Sequence, residues 1–199
     1  GGTIKTAGNF KTHIFTGPGT FAVSSAGNGA GSNTVDYFVV AGGGGVVSGG
    51  GGAGGFRLSN SAGCVPSPTM SPLSNPVGAP VSVQSYSITV GGGGAAAPNP
   101  SHAVTCSSSG NPSTFSTITS AGGGFGQSND KTPAAGSGGS GGGGGRTSTT
   151  TSPEGTGNTP PVSPPQGNPG GSSTAGGSPY SGGGGGGAAT AASPTPGTQ

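Results

Sequence analysis

The chain has 199 residues, of which 51 are glycine and 19 proline, a share at which a sequence reads as disordered unless a repeat rescues it. Hydrophobic residues make up 26%, aromatics 5% and charged residues 4%, with no tryptophan, so an ordinary globular core and a charge-rich disordered chain are both excluded. The formal net charge is +2, and the five scattered basic residues make no electrostatic footprint for nucleic acid. No stretch is apolar for 18 residues, so no membrane insertion is expected.

In chain order, residues 10–16 alternate as a strand, Gly17-Pro18-Gly19 is a turn, and Phe21 and Val23 begin a return strand. This predicts a hairpin over residues 10–23. After a polar loop at 24–34 comes the stretch VDYFVVAGGGGVVSGGGGAGG at 35–55, in which Val35, Tyr37 and Val39 alternate with Asp36, Phe38 and Val40 before the side chains give way to glycine. Residues 1–40 read as a small apolar head, marginal alone because three strands are about the minimum for independent stability.

The strand that opens into glycine recurs. Residues 85–94 read SYSITVGGGG, residues 114–126 read TFSTITSAGGGFG, and residues 178–189, SPYSGGGGGGAA, form a weaker fourth instance. Further glycine occupies 136–145. A glycine run is either flexible coil or a helix of the polyproline-II type, with three residues per turn, about 3.1 Å rise and no internal hydrogen bonds. Such helices satisfy their outward N–H and C=O groups only by packing side by side, and only residues without a bulky Cβ approach closely enough. The repetition favours the ordered reading. Collagen is excluded, because the glycines are contiguous and lack a Gly-X-Y register.

Between the runs lie long polar segments. The segment 56–84 carries five prolines, which argue against a central strand or helix. Residues 95–113 and 127–135 are further excursions, and residues 146–175 form the largest, where Pro160-Pro161 and Pro164-Pro165 favour extended backbone. The expected fold is mainly β and irregular: a small N-terminal antiparallel β head over 1–40, then a glycine-rich polyproline-II-type domain over 41–199, with little or no α-helix.

Catalytic motifs are nearly absent. The three carboxylates, Asp36, Asp130 and Glu154, fall in different segments, so a paired acid/base site is not expected. The glycines ahead of Arg146 and Thr147 do not match a phosphate loop, since arginine stands where lysine belongs. Cys64 and Cys106 are compatible with one disulfide or two free thiols. With His102 they lack the CxxC spacing of a zinc site, so no metal and no cofactor is expected.

The succession GNFKTHIFTGPGTFAV, VDYFVVAGGGG, GGGGAGGFR, SITVGGGG, STFSTITSAGGGFG, GSGGSGGGGG and GNTPPVSPPQGNPGG resembles the glycine-rich adhesin domains of bacteriophage tail fibres, similar in kind to the fibre-tip adhesins of T-even-like phages. The resemblance covers about residues 9–192. It implies a sandwich of polyglycine-II helices with host-recognition loops at one end, in an extracellular virion component and not an enzyme. Its partners would be a bacterial outer-surface receptor, glycan or outer-membrane protein, and a fibre stem or other tail proteins, with a homotrimer as the expected assembly. On side-chain chemistry, stacking aromatics and hydrogen-bonding amides, the candidate receptor contacts are Tyr86, His102, Asn111, Phe125, Asn158 and Tyr180. For Tyr86 and Phe125, anchoring the lattice edge is the competing role. A purely structural fibre component is the alternative function, disfavoured by long, mutually unlike segments. An ice-binding bundle would need a regular Thr/Ala face, and none is readable.

Overall fold

A computed structural model describes residues 1–27, 33–61, 73–97, 107–129, 133–146, 150–174 and 181–189. Among these there is no α-helix. The chain builds two bodies of different physics, a β head with side-chain packing and a lattice of extended runs held by backbone hydrogen bonds.

The head contains β1 (Thr3–Ala7), β2 (Phe10–Ile14), β3 (Gly19–Ala22), β4 (Thr34–Val35), β5 (Phe38–Val40), β6 (Phe56–Ser59), β7 (Ser74–Asn75), β8 (Ala79–Pro80), β9 (Ser85–Thr89), β10 (Ser113–Phe115) and β11 (Ile118–Ser120). A four-stranded sheet runs β11-β10-β9-β3, a three-stranded sheet β5-β6-β7, and β4 pairs β8. Period-two alternation places Tyr86 and Ile88 of β9, Phe115 of β10 and Ile118 of β11 inside, while Ser85, Ser87 and Thr89 face out. Phe21 crosses Phe115 edge-on at 5.9 Å, and Tyr86 crosses it at 6.0 Å. Ala79 and Val81 complete the buried cluster. The head expected of residues 1–40 therefore draws strands from as far along the chain as Ser120.

Several expectations change. The hairpin over 10–23 does not form: β2 pairs with β1 through the two-residue turn Gly8-Asn9, with Gly8 at φ +56°, and β3 pairs with β9. A two-residue Gly-Asn turn matches the twist of the flanking strands, so it wins over Gly17-Pro18-Gly19. The expected strand at 35–40 has the expected alternation but is interrupted, because side chains replace the ladder there. The Ser59 hydroxyl accepts from Tyr37 N–H and donates to Asp36 Oδ1, which also accepts from Ser61 N–H. Phe56–Ser59 is the middle strand of its sheet, although the segment 56–84 was expected to hold no central strand. It precedes the first proline, Pro66, so the proline argument does not reach it. The stretch before the third glycine run is a hairpin, β10–β11, turning at Ser116 with φ +54°.

The glycine runs follow a rule that recurs throughout. In residues 140–145, the N–H groups of Ser140 and Gly143 donate to Ala53 and Gly50, those of Gly141 and Gly144 to Asn168 and Gly171, and that of Gly142 to Gly136, at 2.7–3.0 Å. The carbonyls of Ser140 and Gly143 accept from Gly124 and Gln127, those of Gly141 and Gly144 from Gly186 and Gly183, and that of Gly142 from Gly155. Every third residue addresses the same neighbour. This is the signature of three residues per turn, and it leaves this run surrounded by other runs on all sides. Residues 41–46 behave alike: Ala41 and Gly44 donate to Gly55 and Gly52, Gly42 and Gly45 to Asn111 and Ser108, while Gly42 and Gly45 accept from Gly123 and Gly126. Among the described residues the positive-φ glycines are Gly2 and Gly8, both in the head, so the described lattice glycines stay out of the left-handed region.

This lattice corrects the largest excursion. Residues 146–175 are not one loop. Gly170 and Ser173 donate to Gly155 and Ser152, making 152–156 and 166–173 antiparallel lattice runs joined by a turn at 157–165. The final glycine block is likewise a run, with Gly183 and Gly186 donating to Gly144 and Gly141.

Close approach explains the composition. A Cβ on Gly142 would lie well inside 3.0 Å of the Phe125 carbonyl oxygen, and one on Gly141 equally close to the Gly155 carbonyl oxygen. At the lattice surface a Cβ on Gly92 would meet nothing within 4 Å. Gly142→Ala is therefore expected to cost at least about 3 kcal/mol, because the obstruction is backbone that cannot rotate away. Gly92→Ala is expected to be neutral or stabilising by up to about 1 kcal/mol through the unfolded state. Urea unfolding midpoints of the two variants check both; similar midpoints would refute the packing.

Candidate functional site at the distal end of the lattice

Strands β5, β9 and β11 lead out of the head into residues 41–46, 91–97 and 121–127, while residues 49–55 and 107–112 return into β6 and β10. The register fixes which end of each run is which. Near the head, Ala41 N–H meets Gly55 and Gly55 N–H meets Ala121. At the other end, Gly45 meets Ser108, Ala97 meets Val46, Gly49 meets Gln127, and Gln127 meets Gly143. The runs 140–145, 152–156, 166–173 and 181–187 join in the same sense, with Gly144 bonded to Gly171 and Gly183 at that end. The two ends are separated by about six residues of run, roughly 20 Å at about 3.1 Å per residue.

The points where the chain leaves and re-enters the lattice on either side of 98–106, 130–132, 147–149 and 175–180 consequently lie together, away from the head. The turn at Val46-Val47-Ser48 shares that end. Val46 is exposed, and Ser48 Oγ accepts from the N–H of exposed Arg146. The entries to these mutually unlike segments thus share one rigid end, and three of the chain's eight charged residues, Asp130, Lys131 and Arg146, fall in or beside them in the sequence.

Beneath this surface, buried polar side chains close the lattice. Gln127 is almost fully buried, and its Oε1 accepts from Gly145 N–H at 3.0 Å and from the Ser152 hydroxyl at 2.7 Å. Gly145 occupies the position, three residues after Gly142, from which its N–H would otherwise seek the run containing Gly136. The amide of Gln127 stands in for backbone where that run is missing. The Ser107 hydroxyl donates to the Gly126 carbonyl, and Ser173 Oγ accepts from Ser152 N–H. At the head end Gln166 plays the matching part: Oε1 accepts from Ala121 N–H and Nε2 donates to the Pro160 carbonyl, both at 2.8 Å. Serine and glutamine side chains are mostly exposed in folded proteins. Gln127, Gln166, Ser120, Ser140, Ser152 and Ser173 are instead the most deeply buried side chains. Position is a sequence signal for four of them, since Ser120, Gln127 and Ser173 border glycine runs and Ser140 lies inside one, whereas Ser152 and Gln166 stand among Thr and Pro.

The candidate contacts separate accordingly. Tyr86 is corrected: it is a buried core residue of the head, and its hydroxyl is bonded to Ser82 N–H at 2.8 Å, to Ser82 Oγ and to Gln84 Nε2. Hydrogen bonds from the Ser82 hydroxyl and N–H, and from Gln84, hold that phenol below its ordinary value. Its ring is buried against Phe21 and Phe115, so it is not available to stack on a sugar. Asn158 lies in the turn near the head, at φ +49°, and is structural: Oδ1 accepts from Val162 and Gln166 N–H, and Nδ2 donates to the Val162 carbonyl. Asn111 is exposed, but its run end is also the one that returns to the head. Phe125 is half-buried in the lattice, its ring covering Gly136, and with Val47 and Pro133 it lines a small slot. His102 and Tyr180, like Cys64 and Cys106, lie outside the described residues.

A family model described as a glycine-rich domain matches residues 16–199. No curated protein and no solved structure matches the chain.

Replacing Asn158 by alanine is expected to cost about 2 kcal/mol, since two backbone N–H groups lose their acceptor. If Asn158 contacted a receptor, folded variant would also lose binding; the structural role predicts unchanged binding per folded molecule.

Proposed function

The chain belongs to the glycine-rich domain family, and on that premise we propose that it is the receptor-binding portion of a phage tail fibre. The observation that carries this reading is the register, which gathers the entries to residues 98–106, 130–132, 147–149 and 175–180 at the end opposite the head. A recognition module needs segments free to vary in sequence on a scaffold that does not vary, and backbone bonding makes the scaffold indifferent to what those segments contain. The finer identity rests on the resemblance of the ordered motifs to tail-fibre adhesins. The partner is a bacterial surface receptor, glycan or outer-membrane protein, and the head end faces a stem or other tail proteins in the virion.

The charges in and beside the distal segments, Asp130, Lys131 and Arg146, sum to only +1, which argues for recognition by hydrogen bonds, stacking and shape, with little electrostatic steering. Attachment is accordingly expected to depend weakly on salt. Exchange of 98–106 and 147–149 for the corresponding segments of a related fibre should change host range while the urea midpoint stays fixed. Exchange of the turn 157–165 near the head should leave host range unchanged. Unaltered adsorption after both distal exchanges would transfer the assignment to a structural fibre component.

A further inference from the structure

The turn 157–165 is larger than its connection requires. It joins the antiparallel runs 152–156 and 166–173 with nine residues, whereas Val46-Val47-Ser48 joins 41–46 and 49–55 with three. Four of the nine are proline, and Pro160, Pro161 and Pro165 are exposed. From its length, its rigidity and its place beside the head we propose that this turn is a docking knob for the tail protein that carries the chain. The proposal rests on the tail-fibre reading and assigns the surface by which the chain is held.

The knob is fixed from within and from both sides. Asn158 Oδ1 accepts from the N–H groups of Val162 and Gln166 at 3.1 and 3.2 Å, and its Nδ2 donates to the Val162 carbonyl. Buried Gln166 donates from Nε2 to the Pro160 carbonyl at 2.8 Å. At the base, the N–H groups of Asn158 and Thr159 donate to the Gly139 and Gly138 carbonyls of the lattice. On the other flank the Gln166 carbonyl accepts from Phe56 N–H at 2.8 Å, where β6 of the head begins. A simple link between two runs needs none of this. A surface held so firmly loses little conformational entropy when a partner binds, and proline rings have little to lose.

The chemistry of the knob selects its partner. The nine residues carry no charge, and the exposed rings are apolar, so recognition is by shape and apolar contact. Proline-rich segments are bound by grooves lined with aromatic side chains, and the partner surface is of that kind. A glycan is a poor match, because the turn has no aromatic ring to stack on a sugar and the Asn158 amide is engaged within the turn. Position points to the carrier. The knob stands at the end opposite the entries to the unlike segments, which is the end to be held if those segments are to face the cell.

Crosslinking in assembled virions tests it. A photoreactive benzoylphenylalanine placed at exposed Ser163 is expected to join this chain to a tail protein. Capture of a second copy, or no capture, overturns the proposal. The double variant Pro161→Asp, Pro165→Asp is expected to lower the number of chains per virion about 10-fold or more, as loss of a hot-spot contact does. The same variant, purified, should bind host cells per folded molecule as the wild type does, which a general loss of folding would not allow. These substitutions change how many chains a virion carries, not which cells it recognises. A double variant carried at the wild-type number removes the knob alone. A wild-type chain missing from virions overturns the tail-fibre reading, and the knob with it.

Discussion

The lattice depends on one interaction, the hydrogen bond between the backbone of one three-fold run and the backbone of another. A polyproline-II-type helix cannot satisfy its own N–H and C=O groups, so each run is unstable until neighbours surround it. Residues 140–145 show the completed case, each position in three sending its donor and its acceptor to a fixed pair of neighbours. That demand excludes Cβ atoms from the interior, and the exclusion of Cβ atoms accounts for the glycine content. Composition, geometry and cooperativity are one constraint seen at three levels.

The constraint also explains why the molecule needs its head. Backbone bonding of this kind carries little information about which run lies beside which, because one glycine run resembles another. The β head supplies the missing specification. Tyr86, Ile88, Phe115 and Ile118 pack in one arrangement, and β5, β9 and β11 therefore release residues 41–46, 91–97 and 121–127 from fixed positions in a fixed direction. Gln127 and Gln166 do the same work at the ends, each satisfying a backbone donor that a differently ordered lattice would leave buried and unpaired.

How far these features are legible in the sequence follows from their range. The alternation at residues 35–40 and the ordering of glycine after strands are local patterns, and both are present in the structure. Pairing is not local. Gly17-Pro18-Gly19 reads as a hairpin turn by its residue types, yet Phe10–Ile14 turns back on Thr3–Ala7 at Gly8-Asn9. Tyr86 reads as a contact residue because it is an aromatic among serines; its burial becomes visible only when Phe21 and Phe115 are placed against it. Asn158 reads as a loop amide open to a ligand, and the turn it holds together is invisible until Val162 and Gln166 fold back onto it. Gln127 and the buried serines give no signal by hydropathy, since residues of their kind are usually outside.

The polar interior has a thermal consequence. The heat capacity of unfolding rises with the apolar surface exposed and falls with the polar surface exposed. In the lattice the groups released on unfolding are mostly peptide units, serine hydroxyls and glutamine amides, while the larger buried apolar side chains are concentrated in the small head cluster. The lattice therefore has a shallow stability curve with a broad maximum, and it loses less of its stability on cooling than a hydrocarbon core of equal length would.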